Sequence, residues 1–152
     1  MVQYRLQLVS PLLLNALKCA DDRLRGEVAA EVCERGLRAA ALVNASLLEA
    51  VETLRQGGRI SIDLRKRVSM AADDLDEIYL NESDEARAAG MPQTMCAEAF
   101  RKARAAAAVQ LALLDDRLEA VAEAIYEVQA TFENPSALLA EIGALVARTP
   151  SA

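Results

Sequence analysis

A chain of 152 residues that is 53% hydrophobic, 3% aromatic and about a fifth alanine has the make-up of long helices packed closely in one domain. Its net charge of −6 and isoelectric point near 4.8 disfavour nucleic acid as a partner, because phosphate binding relies on clustered Lys and Arg that release counterions. Histidine is absent, which removes the commonest general base, the commonest transition-metal ligand and every triad built on His.

The expected fold is all-α: one antiparallel bundle of about five helices, two of them long, at about 22–56 and 94–132. Residues 1–9 alternate, with Val2, Tyr4, Leu6 and Leu8 on one side and Gln3, Arg5 and Gln7 on the other. Such alternation fits an extended arm, and an early helical turn fits equally. Ser10 and Pro11 then make a helix start, the serine as cap and the proline at the first helical position. This helix runs to about Ala20, where Asp21 and Asp22 either restart the chain or lie on one continuous helix.

The second helix is expected from about Asp22 to Gln56, ended by Gly57-Gly58. Its seam steps by four and three through Ala29, Cys33, Gly36, Ala40, Val43, Leu47, Ala50 and Leu54. Gly36 costs about 1 kcal/mol against alanine in a helix interior, and a close helix crossing is the usual compensation. A third helix spans about 61–80, with Leu64, Val68, Ala71, Leu75 and Ile78 as its apolar seam. The polar run NESDEARAAGMPQT reads as a connector with a helical turn near Glu85.

The fourth helix, about 94–132, has the clearest seam, running from Phe100 to Phe132 through Leu111, Leu118 and Ile125, broken only by Arg104. Between Ala105 and Leu114 its one polar residue is Gln110. A helix that is apolar all round is sandwiched. A surface formed by Ala105, Val109, Ala112 and Leu113, opposite the seam, therefore needs an apolar cover. Either the N-terminal segment or a second copy supplies it, and the homodimer is favoured, since a two-fold axis brings identical patches together. Asn134-Pro135 opens a short last helix with Leu138, Leu139, Ile142, Leu145 and Val146 on one face. RAAALVNASLLEA at 38–50 aligns without gaps on RAAAAVQLALLDD at 104–116. A duplicated hairpin produces that likeness, and so does the general resemblance of Ala-Leu helices.

Little here carries chemistry. No Gly-rich loop stands between strand and helix, and Cys19, Cys33 and Cys96 lack metal-site spacing. No metal and no cofactor are expected, and the cysteines read as reduced core residues. No apolar run nears the roughly 20 residues needed to span a bilayer, and no small-residue cleavage motif follows the N-terminal apolar stretch. A cytoplasmic protein without membrane contact is the expectation. The candidate site is acidic: Asp73, Asp74, Asp76 and Glu77 in one turn, then Glu82, Asp84 and Glu85. The calcium-loop pattern of alternate oxygen ligands around a glycine is missing.

If the third and fourth helices form an antiparallel hairpin, Asp73 to Glu77 fall near Arg101, Lys102 and Arg104, and the basic start at Arg65, Lys66 and Arg67 falls nearer Asp115 and Asp116. Charges that oppose each helix dipole are then matched across the pair. The expected function is a non-enzymatic protein–protein interaction module for a basic partner: an adaptor, a small helical chaperone or an immunity-type binder. The alternatives are a structural homo-oligomeric scaffold and, further off, a carboxylate-based enzyme or a binder of a small apolar ligand.

Overall fold

The computed structural model describes residues 3–148, and these form an all-α arrangement of seven α-helices with two short 3₁₀ turns. The helices are α1 (Pro11–Cys19), α2 (Asp22–Ala39), α3 (Ala45–Arg55), α4 (Ile62–Ala88), α5 (Ala97–Ala112), α6 (Arg117–Gln129) and α7 (Pro135–Ala147). Three of the expected starts are capped by side chains, whereas Asn134 makes no cap bond ahead of α7. Ser10 accepts from Leu13 N–H, Asp21 from Leu24 N–H and Ser61 from Leu64 N–H, each satisfying an orphan donor of the first turn. Asp21 thus separates α1 from α2. The N-terminal segment is not a strand: Arg5–Leu8 is a 3₁₀ turn whose Leu6 is fully buried, while Val2 lies outside the described residues.

Both long helices are interrupted. The expected helix at 22–56 is α2 and α3, and the break follows from one residue. Ala41 sits at φ 52, with its N–H donating to the Arg38 carbonyl and the Leu42 N–H donating to the Leu37 carbonyl. That pair of bonds is a Schellman stop, usually built on glycine. Gly57 (φ 69) and Gly90 (φ 68) make the same stop after α3 and α4. Asn44 then caps α3 by accepting from Leu47 N–H at 3.1 Å. The expected helix at 94–132 is likewise α5 and α6. Asp116 accepts from the N–H groups of Leu118 and Glu119, and guanidiniums of Arg65 and Arg117 bind the Leu113 and Ala112 carbonyls that α5 leaves free. α4, in contrast, runs on to Ala88 through most of the expected connector.

These breaks dispose of the gapless repeat. Residues 40–44 are the loop between α2 and α3, whereas their aligned counterparts 106–110 lie inside α5.

α4 and α5 form an antiparallel hairpin whose register is read off successive pairs. Tyr79 meets Phe100 edge to face at 5.5 Å, Asp76 meets Arg104, Ser69 meets Gln110, and Arg65 meets Asp115. α5 also packs on α2, α3 and α6, burying Ala103, Ala105, Ala106, Ala108, Val109 and Ala112. The surface of Ala105, Val109, Ala112 and Leu113 is therefore covered within the single chain, with Leu113 2% exposed. It has no area left for a second copy. The 3₁₀ turn and α1 pack instead against α6 and α7, so neither cover proposed for that surface is the one used. α2 crosses α6 closely at Gly36, where a Cβ would come within 2.9 Å of a Val128 methyl.

Holding alanine in the left-handed region costs roughly 1–2 kcal/mol relative to a permitted conformation, and glycine removes that strain at some entropic cost. Ala41→Gly is expected to raise unfolding stability by about 0.5–1 kcal/mol, as measured by urea denaturation. A loss of stability would show that the 40–44 turn is not held this way.

Candidate functional site

Two charged regions need separate accounts, one facing inward and one outward. The inward one is a chain of ion pairs across four elements. Glu127, 5% exposed on α6, accepts from Arg104 of α5 at 3.0 Å and from Arg5 of the N-terminal turn at 2.8 Å. Arg104 also reaches Asp76 of α4 at 2.8 Å, and Arg5 pairs with Glu123 and lies 4.4 Å from the Tyr126 ring centroid. The hydrogen bond to Glu123 foremost, with Glu127 adding to it and burial opposing it, holds the Arg5 pKa above its usual value. This explains Arg104, the cation that breaks an apolar seam: it faces a buried carboxylate. Glu127 was the residue that seam analysis missed, and an inward arginine was the available signal of a counter-charge.

The cluster does not form a ligand site. No buried side-chain nitrogen or oxygen among the described residues lacks a hydrogen-bond partner, so the network is saturated from within. Nor do the described residues gather three or more Asp, Glu or Cys in a geometry able to hold a metal ion. Cys33 is wholly buried, and desolvation pushes its thiol from 9.0 up to about 12, leaving it neutral in the core. Cys96 is buried and Cys19 exposed. A cleft of about 650 Å³ between α2, α3 and the α5–α6 turn is lined by charges of both signs, among them Arg23, Glu27 and Asp115. These are engaged within the chain, Arg23 with Glu27 and Asp115 with Arg65. A second notch, about 620 Å³, is more apolar and opens at the α2–α3 break beside Leu37, Val43 and Leu48.

The outward region is the acidic part of α4. From Asp73 to Glu85 there are seven acids and no base. The hairpin takes up one of them, Asp76, through Arg104. Asp84 lies 3.9 Å from Arg87. Asp73, Asp74, Glu77, Glu82 and Glu85 are exposed and make no ion pair among the described residues. The expected match of the whole acidic turn to Arg101, Lys102 and Arg104 is thus corrected to a single pair, with Lys102 bonded to Glu98 of its own helix instead. At the other end the expected match holds in part, since Arg65 reaches Asp115 while Asp116 is used as a cap. Because α4 extends to Ala88, the acids at 73–77 stand mid-helix, clear of the dipole conflict that a helix ending at Leu80 would impose.

Exposed apolar side chains lie along α4 and just beyond it, with Ile78 and Leu80 among these acids. Ile62 is 74% exposed, Met70 65% and Leu80 57%, and Ile78, Met91 and Met95 are exposed as well. No helix of the described residues is long and apolar enough to cross a membrane. Comparison with protein-family models, curated proteins and solved structures finds no match.

Breaking a buried ion pair by removing one partner costs about 3–5 kcal/mol, because the other charge is stranded. Arg104 and Arg5 keep the acids Asp76 and Glu123, so Glu127→Ala is expected at the lower end, about 3 kcal/mol, by chemical denaturation. Arg104→Ala added to it should cost much less than in the wild type. Additive losses would mean that the two do not act as a pair.

Proposed function

We propose that this chain is a non-enzymatic protein–protein interaction module that docks a basic partner on the exposed acids of the C-terminal half of α4. The observation that carries this reading is the set of five exposed acids, Asp73, Asp74, Glu77, Glu82 and Glu85, that make no ion pair among the described residues. Elsewhere most carboxylates are engaged, Glu31, Glu34, Glu49, Asp63, Glu123 and Glu127 with arginines among them, while Glu119 and Glu133 stand singly without an ion pair among the described residues. A run of unneutralised acids repels itself, and a cationic partner relieves that repulsion and is steered toward it. Exposed methionine and leucine beside the acids supply adaptable apolar contact, which charge alone does not.

The test compares two baits in affinity capture, the wild type and a variant carrying Asp73→Asn, Asp74→Asn, Glu77→Gln, Glu82→Gln and Glu85→Gln. A basic protein retained by the wild type at about 0.15 M salt and lost from the variant is the expected result. Its release should be steep as salt rises, since exposed charges are screened within a Debye length of about 8 Å under those conditions. Equal retention by both baits, or retention of no basic protein, contradicts the reading.

A further inference from the structure

The exposed stripe of α4 is complementary to itself when turned end for end. Stepping along the outward side by four and three gives Ile62, Lys66, Met70, Asp73, Glu77, Leu80 and Asp84, all exposed, opposite the inward side of Leu64, Val68, Ala72 and Leu75. This is heptad spacing, the geometry by which one helix lies along another. Its first half holds the cation Lys66 and its second half the anions Asp73 and Glu77, with an apolar residue at either end and Met70 near the middle. Lys66, Asp73 and Glu77 make no ion pair among the described residues.

From this pattern we infer that two copies of the chain pair through α4, antiparallel, about a two-fold axis near residue 71. In that register Ile62 of one copy meets Leu80 of the other, Lys66 meets Glu77 with Asp73 alongside, and the two Met70 side chains adjoin the axis. Each contact away from the axis occurs twice, as a two-fold axis requires. Arg59, exposed just ahead of α4, falls opposite Asp84. The occupant is a second copy because the face supplies both halves of its own charge pattern. A parallel pair would set Lys66 against Lys66 and Glu77 against Glu77. The paired length, Ile62 to Leu80, is about 27 Å of helix.

The pairing does not depend on a basic partner. Where such a partner binds, the two compete for Asp73 and Glu77, while Asp74, Glu82 and Glu85 lie off the stripe. The expected homodimer is thus reassigned from the buried face of α5 to the open face of α4.

A charge swap followed by sedimentation equilibrium tests this. Wild type is expected at twice the chain mass, shifting toward the single mass as salt rises. Lys66→Glu alone, and Asp73→Lys with Glu77→Lys alone, each place like charges at both symmetric contacts, so each should sediment as a monomer. Mixed one to one, the two variants again oppose unlike charges and should regain the doubled mass. Circular dichroism verifies that each variant is helical, and Met70→Glu serves as the substitute disruption if one is not. A wild-type monomer at all concentrations overturns the inference. So do variants that remain dimeric, or a mixture that stays monomeric.

Discussion

The fold depends on how closely α2 and α6 approach one another and α5, and small side chains set that distance. Gly36 meets Val128 where α2 crosses α6, at a separation that leaves no room for a further methyl group. On α5 the buried positions are almost all alanine. Alanine buries little apolar area, so each contributes less transfer free energy than leucine would. What it permits is dense backbone-to-backbone contact on several sides of one helix, and dispersion attraction between closely packed atoms accumulates there. Large side chains fill the remaining space around this centre: Leu14, Leu17, Leu47, Ile125 and Ile142 are fully buried.

The polar interior serves the same centre. Glu127 projects from α6 into a place where α5, α4 and the N-terminal turn converge, and Arg104 and Arg5 neutralise it from two sides. Such a cluster adds little net stability against an apolar equivalent. It does favour one arrangement of elements, since any other docking of Arg5–Leu8 leaves Glu127 with Arg104 alone. The outer charges differ in kind. Asp73, Asp74, Glu77, Glu82 and Glu85 have no ion-pair partner among the described residues, which is why association is proposed on α4 and not at the saturated cluster.

Helical class, most helix starts and the close approach at Gly36 were legible in the sequence, because caps and small residues at heptad positions have direct physical signatures. The two breaks were not. Gly57 and Gly90 announce their left-handed stops, whereas Ala41 makes the same stop with a residue that otherwise favours helix. Asn44 and Asp116 were the available signs, polar caps lying inside apolar seams. Continuous heptad spacing across both breaks concealed them, since a seam reports which side is apolar and not whether the backbone is continuous. The pairing of the acidic turn across the hairpin was overestimated. Charge reversal along two helices predicts a hairpin; it does not say which acids of a turn face inward, and here only Asp76 does.

The measurement that bears most directly on the central packing is the stability of Gly36→Ala, because two effects predict opposite signs. Helix propensity alone predicts stabilisation by about 1 kcal/mol. Overpacking against Val128 predicts a loss of about 1–3 kcal/mol. The expected result is a net loss in urea denaturation, part of which is recovered when Val128→Ala is added to the same chain. A gain in stability from Gly36→Ala would contradict the account, since it would show that α2 and α6 do not depend on their close approach.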